Sequence, residues 1–297
     1  GRHGVGEDRI LVCSGATGGL HAAATTLLEP GDEVLLLAPY WPLIAGIVRT
    51  AYGKTVPVPF FGEEGSAADR IKRYVTDRTV AIYLNSPNNP TGIALDQSEL
   101  EEIAEIARSQ GLWIWSDEVY DGLSYGSNKT TIGSLAPERT LSVHSFSKKY
   151  GMAGNRCGYI VGPAETLRFI QKVVRYTFYS ACTASQVAAL HAVENGDQWL
   201  DRVRELYRQA GIATADTLGV PRPDGSTFLF LDVSPYLGED GTDGFLMDCL
   251  DRNLILAPGA SFGPFYNSYV RICYTCAPPE QVAKGVSILK DVMDARR

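Results

Sequence analysis

What most limits the fold of this chain is the alternation of short apolar runs with amphipathic ones. "RILVCS", "DEVLLLAP", "TVAIYLNSP", "LWIWSDE" and "TLSVHSF" are compact and rich in aliphatic and aromatic residues, and each reads as a strand. "TGGLHAAATTLLEPGD" and "QSELEEIAEIARSQG" fall between them and read as helices. In the second, Leu100, Ile103, Ala104 and Ala107 share a face, and Gly111 suits the C-terminal cap. Strands joined by helices imply a parallel sheet covered on both faces. Beyond about residue 160 the pattern changes. "AETLRFIQKVVRYTF" and "SQVAALHAVENGDQWLDRVRELYRQAG" read as long helices, "STFLFLDVS" and "YVRICYT" as strands, and "PPEQVAKGVSILKDVMDARR" as a closing helix with Pro at its start. The expected architecture is α/β: a large domain over residues 1–203 and a smaller C-terminal α+β domain over 204–297. The division falls inside the long helix, around Arg202–Gln209.

Composition excludes several classes of function. With 45% hydrophobic and 21% charged residues the chain has the make-up of a soluble globular enzyme. A net charge of −7 speaks against general affinity for nucleic acid. No apolar run approaches the roughly 20 residues that span a bilayer, and "GRHGVGEDRILVC" lacks the apolar core of a signal peptide. The six cysteines are scattered, as reduced thiols in a cytoplasmic protein are; Cys273 and Cys276 have no second pair to complete a zinc site. His3, His21, His144 and His191 show no ligand spacing, so no metal is expected.

In open α/β sheets ligands bind beyond the carboxyl ends of the strands, and five stretches lie there. In "CSGATGGL", small residues let a backbone approach a ligand, and helix amides near Gly15 and Ala16 favour an anion. Thr17 adds a hydroxyl, and it breaks the dinucleotide pattern where the second glycine should stand. Tight strand–helix packing is the alternative use of these small residues. In "APYWPL", Trp41 is either core or a flat plate for an aromatic ligand. "NSPNNPTG" is a turn with more asparagines than a turn demands, which leaves a side-chain amide for a site. In "WIWSDEVYDG", Asp117 ends a buried strand and needs a cationic partner, unless it caps a helix. Tyr120 lies about one helical turn further on. "SFSKKYGMAGNRCGY" has serines for a phosphate, Arg156 to grip it, and two lysines of which at most one should reach the site. A lysine desolvated at a strand end has a lowered pKa and becomes a nucleophile toward aldehydes. One cofactor uses an anion cradle, an aromatic plate, a carboxylate, a phenol, an amide and a lysine together: pyridoxal phosphate.

The sequence resembles the class I/II aminotransferases of the aspartate aminotransferase superfamily, from about Leu11 to the C-terminus. Ser145 through Tyr159 match the family's S-x-S-K-x-x-G-x-x-G-x-R-x-G-Y, and "NNPTG" and "SDEVY" match two further signatures in the expected order. The resemblance implies a mostly parallel large domain of the pyridoxal-phosphate fold type I and a ping-pong transfer of an amino group between an α-amino acid and a 2-oxo acid. It implies Lys148 as the Schiff-base lysine and proton carrier, with Asp117 on the pyridine nitrogen. Tyr120 and Asn89 would take the cofactor's phenolic oxygen, and Trp41 would stack on its ring. Ser145, Arg156, Thr17 and the amides near Gly15 and Ala16 would hold its phosphate. Arg271 would grip the substrate α-carboxylate, close to Trp41 and Asn89. Lys149 is left as a solvent or packing residue. A homodimer with sites at the interface is also implied.

The chain departs from the family in places. Members carry several tens of residues ahead of the phosphate-binding strand, including contacts to the partner subunit, whereas this sequence starts almost at that strand. Where aspartate-specific members place an arginine for the side-chain carboxylate, Tyr176 stands here, next to Arg175. That points to an aromatic or bulky neutral substrate. Two other uses of the same cofactor stay open at this level: β- or γ-elimination, and a sensor domain in a transcription regulator.

Overall fold

The computed structural model describes residues 5–126 and 130–297. Strand β1 (Ile10–Cys13) leads into helix α1 (Gly15–Leu27). There follow β2 (Glu33–Ala38), α2 (Leu43–Thr50), β3 (Lys54–Pro59), α3 (Ala67–Lys72), β4 (Thr79–Asn85), α4 (Gln97–Ser109) and β5 (Trp113–Asp117). Next come α5 (Ile132–Leu135), β6 (Thr140–Ser145), β7 (Gly158–Val161), α6 (Ala164–Thr177), α7 (Thr183–Asn195) and α8 (Asp197–Leu218). The C-terminal part holds β8 (Phe228–Asp232), α9 (Gly241–Asp251), β9 (Ala257–Pro258), β10 (Tyr269–Cys273) and α10 (Pro279–Ala295).

Seven strands form one sheet in the order β1-β7-β6-β5-β4-β2-β3. Neighbours from β6 to β3 pair in parallel, and β7 runs against both β1 and β6. The sheet is therefore mostly parallel, and strand β2 shows why it is buried on both faces. Its Val34, Leu36 and Ala38 pack with Leu20 of α1, Ile44 of α2 and Ile170 of α6, whereas Leu35 and Leu37 pack with Leu100, Ile103 and Ala104 of α4. Near-continuous apolar character is what such a strand requires. Helix α4 begins with a capping box. The Asp96 carboxylate accepts from the Glu99 amide at 2.9 Å, and Glu99 accepts from the Asp96 amide at 3.2 Å. Gly111, just past its end, takes a left-handed φ of 70°.

The smaller sheet has the order β8-β10-β9 and is antiparallel. Leu231 and Ile272 pack there with Phe245 of α9, Leu289 and Val292 of α10, and Ala215 late in α8. Early in α8, Leu200, Val203 and Tyr207 instead pack against Tyr120, Leu123 and Phe228.

Three elements differ from the sequence reading. The long helix expected from Ser185 to Gly211 is two helices, α7 and α8, broken at Gly196. Strand β3, read only as an extended segment, carries Pro57 and Pro59. It lies at the edge of the sheet, where missing amide donors are tolerated. The antiparallel β7 hides inside a glycine-rich motif that reads as a turn. Among the described residues no helix is long and apolar enough to cross a membrane.

Candidate active site

Side chains alternate along a strand, so Tyr83 and Asn85 on β4, Asp117 on β5, and Val143 and Ser145 on β6 share one face. The register Asn85↔Asp117 and Asp117↔Val143 brings their carboxyl ends level. Helix α1 covers that face, with Leu20 and Ala23 in the same cluster as Val143 and Ile160. Its N-terminus therefore opens beside the strand ends.

That N-terminus is built for an anion. No side chain caps the first turn of α1, whose N-cap is Ser14, so its amides are open to a ligand. Gly15 has φ 70°, and a Cβ there would stand 2.6 Å from Arg156 Nη2. Arg156 itself is held at φ 48°, an uncommon conformation for a residue other than glycine. Gly158 allows this fold-back, because a Cβ there would meet the Ala16 nitrogen at 2.9 Å. Ser145, paired with Gly158 across β6 and β7, is buried, and its Oγ accepts from the Ser147 amide at 3.1 Å. The hydroxyl proton is left for an anion. Thr17 is exposed on the same first turn.

At the other end lies a carboxylate in search of a cation. Asp117 is 3% exposed. Its Oδ2 accepts from the Tyr83 hydroxyl at 2.8 Å, and its Oδ1 from the Val119 amide at 3.3 Å. No α-helix starts at Asp117, so capping does not explain it. Burial pushes its pKa up to about 6, against the hydrogen bonds from Tyr83 and Val119 that favour the ionised form. Among the described residues no cation lies within ion-pairing distance of it. Tyr120 is buried, packs edge-to-face on Phe228, and has its pKa raised by burial and by the Asp117 charge.

Asn89 and Arg271 meet directly. Arg271 Nη1 donates to Asn89 Oδ1 at 2.9 Å, and the Asn89 amide donates to Asn85 Oδ1 at 2.7 Å. Asn85 is anchored in turn by donating to the Asp117 carbonyl at 2.8 Å. The Arg271 guanidinium lies over Phe228 at 4.1 Å and faces Phe262 at 5.0 Å. Its Nε is buried without a partner, and among the described residues no carboxylate pairs with it. Trp41 is half-buried and packs at the edge of the main core.

The two lysines separate, and the burial expected at Lys148 falls on Lys149. Strand β6 ends at Ser145, so both lysines lie in the turn beyond it and strand alternation does not govern them. Lys148 is exposed. Lys149 is 9% exposed and bonds Asp121 Oδ2 at 2.8 Å, an oxygen that His144 Nδ1 also approaches at 3.1 Å. Lys149 is thus a packing residue. Burial is the largest influence and lowers its pKa, but the charge and hydrogen bond of Asp121, together with Tyr159 and Tyr150, outweigh it and leave the pKa raised.

Neither Tyr83 nor Asn85 is singled out by the sequence, although both hold site groups. Their signal is phase: they stand two residues apart at the carboxyl end of β4, on the face that also carries Asp117. Tyr176 is 88% exposed at the end of α6, and no hydrogen bond or ring contact among the described residues ties it to the site.

A ligand with an anion at one end and a cation at the other answers the needs of both groups. Pyridoxal phosphate is such a ligand, and the fold and site are those of a pyridoxal-phosphate-dependent enzyme. Comparison with known proteins narrows the class. Residues 3–289 match the family described as aminotransferase class I and II, and the chain belongs to that family. It is 34% identical over 281 residues to the aspartate/prephenate aminotransferase of Thermus thermophilus, covering 91% of this chain and 72% of that one. It is 32% identical over 309 residues to aromatic-amino-acid aminotransferase 2 of Thermococcus litoralis, covering 98% and 77%. The solved structure of the Thermus thermophilus aspartate aminotransferase with maleate superposes with a TM-score of 0.89 at 32% identity, over 97% of this chain and 77% of that one. The chain is a pyridoxal-phosphate-dependent aminotransferase, acting on an amino acid and a 2-oxo acid.

Proposed function

We propose that this aminotransferase takes amino acids with an aromatic or bulky neutral side chain and binds their α-carboxylate through Arg271. The observation that carries the reading is the half-buried Arg271, held by Asn89, with an orphaned Nε and no acidic partner among the described residues. Phe228 and Phe262 present apolar surface beside it, and the resemblance aligns Tyr176 with the arginine by which aspartate-specific members hold a side-chain carboxylate. The naming of one relative as an aromatic-amino-acid aminotransferase agrees with this.

In this reading Gly15, Ala16, Thr17, Ser145 and Arg156 hold the cofactor phosphate. Asp117 would pair with the pyridine nitrogen, Tyr120 and the side-chain NH2 of Asn89 would take the phenolic oxygen, and Trp41 would stack on the ring. When bound, pyridoxal phosphate supplies an aldehyde for the amino group and a ring that delocalises the electron pair left at Cα. Lys148 Nζ holds the cofactor between turnovers and then removes the Cα proton. Asp117, kept dry by the sheet and α1, stabilises positive charge on the ring. Arg271 and Asn89 orient the substrate so that its Cα–H faces Lys148.

The test is a donor screen that follows stoichiometric formation of pyridoxamine phosphate. Phenylalanine or tyrosine is expected to exceed aspartate in kcat/KM; a preference for aspartate contradicts the substrate reading. Ammonia and pyruvate released without an acceptor would indicate elimination instead. Hydrogen bonds to charged groups are worth about 1.5–3 kcal/mol, so Arg271→Ala should raise KM about 10- to 100-fold. Cofactor affinity should stay unchanged, and its loss would remove Arg271 from the carboxylate role.

We also propose a homodimer, a cytoplasmic setting, and the division of the chain at residues 203/204. Exposed Tyr176, Tyr179, Val187 and Leu190 on and beside α6 and α7 support the first, and six unpaired cysteines support the second. A change of packing partners along α8, between Tyr207 and Ala210, supports a division within that helix. Sedimentation of a fully active monomer would contradict the dimer.

A further inference from the structure

We propose that Tyr83 is a positioning residue of the reaction: its hydroxyl holds Asp117 ionised and oriented to receive the cation of the cofactor ring. The inference rests on the assignment of Asp117 made above. Tyr83 is fully buried on β4, next to β5 in the sheet. Its ring belongs to the main core, and its hydroxyl has one protein partner among the described residues, Asp117 Oδ2 at 2.8 Å. The other oxygen, Oδ1, takes the Val119 amide at 3.3 Å. Two donors on two oxygens fix the plane of the carboxylate and leave lone pairs on each oxygen for a further donor. A phenylalanine would fill the same core volume, so packing does not account for the hydroxyl.

The charge balance around Asp117 makes that bond matter. Burial favours the protonated acid, and the neighbouring Glu118 pushes the same way; His144 opposes both. Glu118 and His144 are committed elsewhere. Ser116 donates to Glu118 at 2.8 Å, and His144 bonds Asp121 at 3.1 Å while stacking on Tyr159 at 4.7 Å. Tyr120 is a phenol with a raised pKa, so it brings no positive charge. The Tyr83 hydroxyl is thus the side-chain donor in direct contact with Asp117, and a donor to the ionised form lowers a carboxyl pKa.

Tyr83→Phe tests this through the apo-protein. A protonated Asp117 cannot pair with a pyridinium, so affinity for pyridoxal phosphate should fall as pH drops through the Asp117 titration. In Tyr83→Phe that midpoint should rise by about one pH unit, which one lost hydrogen bond to a charge can supply. Equilibrium dialysis of the cofactor against pH reads it. The infrared carboxylic-acid band of the apo-protein, assigned by its absence in Asp117→Asn, should move by the same amount. In an Asp117→Asn background Tyr83→Phe should shift neither readout, whereas a merely structural role would lower the melting temperature alike in both backgrounds. An unmoved midpoint in Tyr83→Phe, or a Tyr83→Phe chain that does not fold, overturns the proposal. If Asp117→Asn binds cofactor as the wild type does, the Asp117 assignment itself fails. If only Asp117→Asn weakens binding, that assignment stands and the role of Tyr83 falls.

Discussion

Lys148→Ala is expected to abolish turnover and covalent uptake of pyridoxal phosphate while leaving the fold intact. Lys149→Ala is expected to do nearly the reverse. The neighbours differ because the turn beyond β6 sends them into different surroundings. Lys148 is exposed, so its removal uncovers no buried partner and costs little stability. It does remove the amine and the proton carrier together, and loss of a positioned proton carrier alone lowers rates by about 10²–10⁴-fold. Lys149 is buried against Asp121, and removing it takes away the lysine charge and leaves that carboxylate with His144 and the Gly122 amide. Removing one partner of a largely buried, hydrogen-bonded pair costs about 2–3 kcal/mol. Turnover with saturating cofactor and thermal melting separate the two variants. Loss of covalent uptake in Lys149→Ala with retention in Lys148→Ala would reverse the assignment.

Asp117→Asn should slow the half-reaction about 10²–10³-fold, the usual effect of removing one preorganised electrostatic contact, and yet stabilise the apo-protein. The Asp117 carboxyl lies near 3.8 in the unfolded chain and is pushed up to about 6 in the fold, first of all by burial. A raised carboxyl pKa means that the folded state holds its proton more tightly than the unfolded state. Below the unfolded value both states are protonated and nothing is lost. Between about pH 4 and 6 the unfolded chain ionises first, and stability declines; above about pH 6 the full penalty remains. Roughly two pKa units correspond to about 3 kcal/mol. Asparagine has no charge to bury, so melting of the apo-variant should exceed that of the apo-wild type at pH 8 and match it near pH 4. Adding pyridoxal phosphate at pH 8 should narrow the gap, because the ring cation stabilises the wild-type carboxylate. Equal melting of the two apo-proteins at pH 8 would show that Asp117 carries no such penalty. The site thus sacrifices stability for a charge held ready.

The centre of the large sheet is legible in the sequence because β2, β4 and β5 are covered on both faces and carry apolar runs almost to their carboxyl ends. Helix α4 is legible because its apolar stripe, capping box and terminal glycine agree. Strand β3 is not, since its prolines, harmless at an edge, mimic a loop. Gly196 breaks a helix whose periodicity runs through on both sides. In the site, the residues whose chemistry is unusual for their place stand out: an acid ending a buried strand, an arginine after glycines. Tyr83 and Lys149 do not, because their importance lies in partners 34 and 28 residues away in sequence, which only the register of the sheet and the turn beyond β6 bring together.

The account turns on one attachment point. Holoenzyme treated with borohydride, which makes the lysine–cofactor bond permanent, can be digested and its peptides mapped by mass spectrometry. The phosphopyridoxyl group is expected on Lys148. Its appearance on Lys149, or on a lysine outside Ser145–Tyr159, would contradict the assignment of this stretch as the cofactor socket.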